Sequence, residues 1–172
     1  LRQGEQVFGD DWFSVLLDPF HDRRSGYRFM TNPNGLRQEG LFQNISEEQW
    51  NWEGIWYTAS TVDERGWITE IAIPFKTLSF DPSNDTWGIN FQRVVRRKNE
   101  QSIWSGWARN QGLRRMNNAG LLTGVRDMTQ GHGLDIKPYG LISSLASPGR
   151  GNPAMTTDAS AGLDVFYNPT PL

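Results

Sequence analysis

Hydrophobic and polar residues alternate along this chain in short runs that are separated by clusters of turn-forming residues. The runs Trp12–Leu17 and Gly26–Thr31 predict two strands joined by a charged hairpin loop. The clearest alternation lies at Trp67–Ile73, and Pro74 ends it because proline has no N–H to donate to a strand ladder. The pattern predicts short strands connected by tight polar turns.

The same alternation continues through the middle of the chain. It predicts further strands at Trp52–Ser60, Trp87–Arg97, Ser102–Ala108 and Gly120–Val125. Residues 36–50 lack it, and we interpret them as a loop that ends in a short helical turn. Because no longer segment has convincing helical periodicity, the predicted fold class is all-β, an antiparallel β-sandwich or barrel.

The pattern changes near Gln130. Gly133–Ser143 and Ala159–Asn168 are two alternating segments, joined by a loop rich in Ser, Pro, Gly and Asn. Their length and alternation are typical of transmembrane β-barrel strands, but a hairpin in water can have the same pattern. We therefore predict two parts: residues 1–127 as a β-sandwich, and residues 128–172 as a linker followed by one hairpin.

Composition narrows the possible classes of function. The chain has no cysteine, which excludes disulfides, zinc–thiolate sites and thiol nucleophiles. Its net charge of -2 argues against nucleic acid as a partner, because nucleic-acid binding needs a basic surface. Eight tryptophans among only 37% hydrophobic residues predict a core that is built from a few large rings.

Some charged residues lie within or beside the predicted strands. Glu70 and Arg93 lie in strands with a half-buried pattern, and a buried charge is costly unless it is paired, so we predict internal ion pairs for both. A second group is basic. It is predicted to face lipopolysaccharide phosphates or an acidic glycan, or else to neutralise nearby acids: Arg93, Arg96, Arg97, Lys98, Arg109, Arg114 and Arg115.

The long strand predicted in the middle region and its hairpin partner carry residue types that bind sugars. Aromatic rings stack on the C–H face of a sugar, while amides and guanidinium groups bind its hydroxyls. Asn90, Gln92 and Arg96 share one face of the strand, and Trp104 and Trp107 lie on the returning strand. The sequence predicts a ligand-binding patch here. The alternative is a solvated polar row with both tryptophans in the core.

Several segments, taken together, resemble a known family. In chain order they are GDDWFSVLLDPFHDRRSGYRF, NPNG, GIW, GWITEIAIPFKTLSF, WGINFQRVVRRKNE, WSGW and GLLTG. This set is similar to the family 9 carbohydrate-binding module that stands at the front of a group of bacterial outer-membrane proteins, where a long β-barrel follows it. The segments GLDIKPYG and AGLDVFYNPTPL resemble the opening strands of that barrel.

The resemblance implies a fold and a location. The fold is a jelly-roll-like β-sandwich followed by the first strands of an outer-membrane β-barrel, and the location is the outer membrane or the periplasm of a bacterium. The resemblance also implies that residues 1–127 are a partial module, because such modules begin some strands earlier, and that the barrel continues beyond residue 172.

The resemblance also implies candidate site residues. In sugar-binding members two Trp rings enclose the sugar, and Trp104 and Trp107 are the nearest candidates by order. Arg28 matches an arginine of the binding strand, whereas Ser14 stands where such modules have a glutamate. Family members tend to bind calcium in loops, so calcium is the candidate cofactor, and its candidate ligands are Asp10, Asp11, Asp18 and Asp22.

The leading functional prediction is non-catalytic binding of an oligosaccharide or polysaccharide at the bacterial cell envelope, within a protein of carbohydrate catabolism. One alternative is a structural or gating domain of an outer-membrane barrel that binds no sugar. The other is part of a glycoside hydrolase, which would act on O-glycosyl bonds through two carboxylates roughly 5–10 Å apart. The sequence has no nucleophile elbow, HExxH motif or phosphate loop, so catalysis is not expected.

Overall fold

A computed structural model of the chain describes residues 7–43, 47–106, 112–129, 134–147 and 154–167. These residues form an all-β protein with antiparallel sheets and short 3-10 turns, and they contain no α-helix. No helix among them has the length and apolar character that crossing a membrane requires. The chain divides into two compact units, residues 1–130 and residues 131–172.

The described part of the first unit consists of short strands in two sheets. The strands are β1 (Trp12–Asp18), β2 (Ser25–Thr31), β3 (Arg37–Gln43), β4 (Glu47–Gln49), β5 (Tyr57–Asp63), β6 (Gly66–Ala72), β7 (Thr86–Val95), β8 (Glu100–Ile103) and β9 (Gly120–Thr123). The larger sheet runs in the order β4-β3-β2-β1-β7-β8, and β9 pairs with the first half of β7. β5 and β6 form a separate hairpin.

One face of the larger sheet packs against the β5–β6 hairpin, and we call it the hairpin face. β1 contributes Val15 and Leu17 to it. The core on this side consists largely of aromatic rings, among them Phe29 and Trp56, whose ring centroids lie 5.3 Å apart in an edge-to-face arrangement. Two antiparallel sheets packed face to face are consistent with a β-sandwich.

The opposite face of the larger sheet carries Ser14 and Leu16 of β1. Residues 112–119 cover part of it, and we call it the loop face. Leu16 is fully buried there against Leu113 and Met116. Both faces of the central strands are therefore buried, which explains why β1 and β2 are almost entirely inaccessible to solvent.

The observed strands differ from the predicted ones mainly at their ends and in one segment. The strand predicted at Trp52–Ser60 begins only at Tyr57, and β7 ends at Val95. Residues 37–43 and 47–49 form β3 and β4, so the interpretation of this segment as a loop with a helical turn is wrong. β3 shows no simple alternation because adjacent residues, Glu39 and Gly40, are buried on opposite faces.

The prediction of internal ion pairs for Glu70 and Arg93 is also wrong, because both side chains are exposed. Glu70 lies on the outward side of the β5–β6 hairpin, opposite Ala59. Arg93 pairs with Ser102 on the short strand β8 at the margin of the sheet. The apolar residue Ile68 is 60% exposed on the same outward side as Glu70, and such residues gave the strand its half-buried pattern.

The described part of the second unit is one hairpin of two 14-residue strands, β10 (Leu134–Ser147) and β11 (Ala154–Tyr167). Directly paired residues share a face of the hairpin. One face is apolar and carries Ile136, Pro138, Ile142, Leu163 and Val165. The other face is mixed and more polar, with Lys137 opposite Asp164 and Ser143 opposite Asp158.

Candidate functional site

Arg28 lies at the centre of β2, on the loop face of the larger sheet. Its register partner on β1 is Leu16, so both side chains leave the sheet on the same side. Arg28 Nη2 donates a hydrogen bond to Gln92 Oε1 of β7 at 3.1 Å, and Arg28 Nε donates a longer one to Ser14 Oγ of β1 at 3.4 Å. Three neighbouring strands therefore bring together a guanidinium, an amide and a hydroxyl group.

Two tryptophans flank this guanidinium group. Arg28 Cζ lies 5.5 Å from the ring centroid of Trp12 and 5.6 Å from that of Trp50, within the range of cation–π attraction. Trp12 begins β1 and is buried, whereas Trp50 follows β4 and is 39% exposed. Gly40 of β3 makes room for the second ring, because a Cβ atom there would lie 3.2 Å from Trp50 Cε3.

β4 adds a carboxylate to this group. Arg28 Nη1 donates to both carboxylate oxygens of Glu48, at 3.1 and 3.3 Å, and Glu48 Oε2 lies 3.7 Å from Arg114 Nη1. The side chains of Arg28 and Glu48 are 10% and 8% exposed, whereas that of Arg114 is 38% exposed. We define the Arg28 cluster as Trp12, Ser14, Arg28, Glu48, Trp50, Gln92 and Arg114.

The cluster holds its charges away from bulk water. Burial lowers the pKa of Arg28, the charge and hydrogen bonds of Glu48 oppose that change, and the charge of Arg114 adds to it. Arg28 nevertheless stays protonated, because the ordinary pKa of arginine is far above neutral. Among the described residues of the cluster, the two guanidinium groups of Arg28 and Arg114 both lie beside one carboxylate, that of Glu48.

Arg28, Gln92 and Asn90 are three of the residues predicted to bind a ligand, and the structure places all three on the loop face. Arg28 and Gln92 are hydrogen-bonded to each other. Asn90 is only 1% exposed and binds the backbone of Ser105, donating from Nδ2 to its carbonyl at 2.9 Å and accepting from its N–H at 3.1 Å. Asn90 therefore holds the chain that follows β8.

Trp104 lies on the other side of the sheet. Its ring packs 5.5 Å from the ring of Phe91, which shares the hairpin face with its register partner Val15. Trp104 is 60% exposed, but the sheet separates it from Gln92, and the structure does not bring the two into one patch. Trp107, the other predicted stacking ring, lies outside the described residues.

Arg96 begins a 3-10 turn after β7 and is therefore not on the strand face predicted for it. Its backbone N–H donates to Asp11 Oδ1 at 2.6 Å, and it lines a surface pocket with Asp10 and Asn34. The predicted basic group does not form one patch either. Its described members are spread over the hairpin face, this turn and the loop face, and Arg109 lies outside the described residues.

The four aspartates proposed as calcium ligands lie at opposite ends of β1. Asp10 and Asp11 precede the strand and Asp18 ends it, a separation of roughly 20 Å at about 3.3 Å per residue. Asp18 is buried and accepts the backbone N–H groups of Asp22 and Arg23 at 3.2 and 2.8 Å. One ion cannot contact all four, and the described residues contain no group of three potential ligands close enough to hold a metal.

The sequence singles out only part of the Arg28 cluster. Glu48 and Trp50 lie in the segment interpreted as a loop, and Arg114 is considered only as one member of a dispersed basic group. Recognising β3 as a strand buried on both faces would have placed β4 beside it, and Glu48 would then have been expected near Arg28.

The described residues of the cluster do not include the pair of carboxylates that glycoside hydrolysis requires. Among the described residues its one carboxylate is Glu48, which is already bound to Arg28. A glycosidase needs a second carboxylate roughly 5–10 Å away, on the other side of the scissile bond. The described residues of the cluster therefore present hydrogen-bond donors, acceptors and aromatic surface around one carboxylate.

No protein-family model matches the chain, and neither a curated protein nor a solved structure is significantly similar to it.

Proposed function

We propose that the first unit is a jelly-roll-like carbohydrate-binding module, and that it binds an oligosaccharide at the Arg28 cluster without cleaving it. The observation that carries this proposal is that the Arg28 guanidinium contacts the rings of both Trp12 and Trp50, whose centroids lie 5.5 and 5.6 Å from Cζ. Sugars are bound by aromatic faces together with planar groups that donate and accept hydrogen bonds. The cluster contains both kinds of group on one face of the sheet.

The exposed members of the cluster mark the side from which a sugar approaches. Trp50 and Arg114 are 39% and 38% exposed, whereas Arg28 and Gln92 lie beneath them. Trp50 offers an apolar surface for the C–H face of the ring, and Arg114 offers donors for its hydroxyls. Beneath them, Glu48 forms an ion pair with Arg114 at 3.7 Å, and the Arg28 guanidinium, itself bound to Glu48 and Gln92, lies 5.6 Å from the centroid of the Trp50 ring.

We further propose that the protein acts at the bacterial cell envelope, with the second unit contributing the opening strands of an outer-membrane β-barrel. The separation of apolar and polar residues on β10 and β11 supports this location. Strands of 14 residues also exceed the roughly 9–11 residues that a tilted strand needs to cross a bilayer. Carbohydrate catabolism is the process in which such a binding protein would take part.

A structural or gating role without sugar binding is the second candidate. The burial of Arg28 and Gln92 favours it, since their hydrogen bonds to each other and to Glu48 are already made within the protein. In this case the cluster would serve to fix β4 and residues 112–119 on the sheet. Mutations in such a cluster would change the stability of the protein and would have no effect on sugar binding.

Titration of the full chain with a panel of oligosaccharides, monitored by intrinsic tryptophan fluorescence, separates the two candidates. We expect a saturable change with at least one sugar, greatly weakened in Trp50→Ala and retained in Trp104→Ala, the matched control on the opposite face. Repeating the titration with a chelator tests the candidate calcium. A folded protein that gives no response to any sugar would support the structural role instead.

A further inference from the structure

Positive charge exceeds negative charge in the described part of the Arg28 cluster. Arg28 and Arg114 bring two guanidinium groups to one carboxylate, that of Glu48. Both oxygens of Glu48 lie within 3.3 Å of Arg28 Nη1, whereas the nearest atom of Arg114 is 3.7 Å away. Glu48 therefore interacts mainly with the buried Arg28 and only weakly with the more exposed Arg114.

Arg114 is the arginine that a ligand from solution can reach. Its side chain is 38% exposed, against 10% for Arg28. Within the part of the chain that the structure describes, Glu48 is the one polar partner of its guanidinium group. A guanidinium presents five N–H donors in a plane that matches the two oxygens of a carboxylate, and the contact with Glu48 involves one nitrogen of Arg114, Nη1, at 3.7 Å.

The surroundings favour a carboxylate carried by a sugar over a small inorganic anion. The exposed indole ring of Trp50 belongs to the same cluster, 5.6 Å from Arg28 Cζ, and supplies an apolar face that an inorganic anion would not use. Glu48 is a carboxylate within ion-pair distance of both arginines, at 3.1 Å from Arg28 and 3.7 Å from Arg114. A ligand carboxylate would take over the more exposed of these two contacts.

We propose that the ligand of the Arg28 cluster is an acidic sugar of the uronic acid type, whose carboxylate pairs with Arg114 while its ring lies against Trp50. This inference rests on the proposed function, because it specifies the class of sugar bound at the same site. Arg28 and Glu48 remain paired when the ligand binds, and Arg114 exchanges its long contact with Glu48 for a direct one with the ligand.

Matched oligosaccharides provide the test. The binding of an oligomer of galacturonic acid to the full chain is compared by calorimetry with that of the neutral galactose oligomer and of the methyl-esterified galacturonic acid oligomer. We expect the acidic oligomer to bind at least about tenfold more tightly than the other two, since a charge-assisted bidentate pair is stronger than neutral hydrogen bonds. The methyl ester keeps the shape of the sugar and removes its charge.

Two variants locate the effect. Arg114→Gln should abolish most of the preference for the acidic oligomer, while Arg115→Gln, a change at the exposed neighbouring arginine, should retain it. Equal binding of acidic and neutral oligomers, or an equal loss of preference in both variants, would overturn this inference and leave the proposed function standing. Failure of all the oligomers to bind, together with a flat response across the wider sugar panel, would overturn both.

Discussion

Arg28 is held by charge, by hydrogen bonds and by two indole rings, and these contacts come from β1, β4, β7 and the turn after β4. Glu48 accepts from Nη1 and Gln92 from Nη2, each at 3.1 Å, and the ring centroids of Trp12 and Trp50 lie 5.5 and 5.6 Å from Cζ. A buried guanidinium is costly to desolvate unless its donors are used, and here the sheet supplies the partners. A single residue thus joins four parts of the first unit.

Replacing Arg28 with methionine should strongly destabilise the first unit. Among the described residues, the change leaves the buried Glu48 with its 3.7 Å contact to Arg114 alone, and breaking a buried pair in this way costs about 3–5 kcal/mol. Urea unfolding should show this loss. The double variant Arg28→Met/Glu48→Met should recover part of it, because no buried carboxylate remains. Equal effects of the single and double variants would show that the pair is not what stabilises the cluster.

A second prediction at this scale concerns Asp18, which is buried at the end of β1. Burial raises the pKa of this carboxyl, while the N–H of Arg23 opposes the shift. Between the ordinary aspartate pKa of about 3.9 and the raised folded value, the folded state binds more protons than the unfolded state. The stability that Asp18 contributes is therefore greatest below this window and falls as the pH rises through it.

Comparison with Asp18→Asn isolates this effect, since all other titrating groups are shared. The free energy of unfolding of the wild-type protein, minus that of the variant, should decrease as the pH is raised from about 3.5 towards neutral. The asparagine oxygen can still accept from the Arg23 N–H. A difference that stays constant or increases with pH would contradict the assignment.

At the scale of the element, close approach between strands decides which residues are tolerated. Gly26 of β2 lies on the loop face beneath the Phe42 ring, and a Cβ atom there would collide with that ring and with the Leu17 carbonyl oxygen. The glycine is needed for space, since its backbone is ordinary extended strand. Gly40, beneath Trp50, plays a similar part in β3.

Gly26→Ala should destabilise the protein by roughly 1–3 kcal/mol, because a methyl group is forced into a packed site that includes backbone atoms. Gly9→Ala is the matched control, since no atom of the described residues lies within 4 Å of the position that its Cβ would take. Thermal unfolding of the two variants measures the difference. Similar melting temperatures for both variants would mean that the space around Gly26 between β1 and β3 is large enough for a methyl group.

The pattern of apolar residues in the sequence was enough to predict β1, β2, β6 and β7, because these strands contain either short apolar runs or a regular alternation of apolar and polar residues. It failed for β3, where Glu39 is buried and its carboxylate accepts a hydrogen bond from Trp56 Nε1 at 3.0 Å. A polar residue satisfied by a distant partner resembles a solvated one in the sequence. Gln92 is also a buried polar residue with a distant partner, Arg28, and the sequence pattern wrongly predicted that it shares a binding patch with Trp104. The contact between Glu48 and Arg28 has no signature in the sequence either.

At the scale of the whole molecule, the two units present different surfaces. The first unit encloses its rings between the larger sheet and the β5–β6 hairpin. The second unit leaves apolar side chains such as Ile142 and Leu163 exposed, at 77% and 59%. A contiguous exposed apolar face is a surface on which lipid or another protein can bind. The proposed envelope location assigns it to lipid.

Leu163→Asp should therefore weaken the binding of the full chain to phospholipid vesicles roughly tenfold, because it places a charge on the apolar face of the hairpin. Ser160→Asp is the matched control on the other face, opposite Leu141, and should bind as the wild-type protein does. Co-sedimentation with vesicles measures both. An equal effect of the two substitutions, or no vesicle binding by the wild-type protein, would contradict the lipid assignment.

The most direct test of the central claim is a titration of the ¹⁵N-labelled full chain with oligosaccharides, followed through the indole N–H resonances of its tryptophans. Binding at the Arg28 cluster predicts a saturable shift of the Trp50 resonance, with Trp104 unchanged on the opposite face of the sheet. A shift confined to Trp104, or no shift with any sugar, would contradict the assignment of sugar binding to the Arg28 cluster.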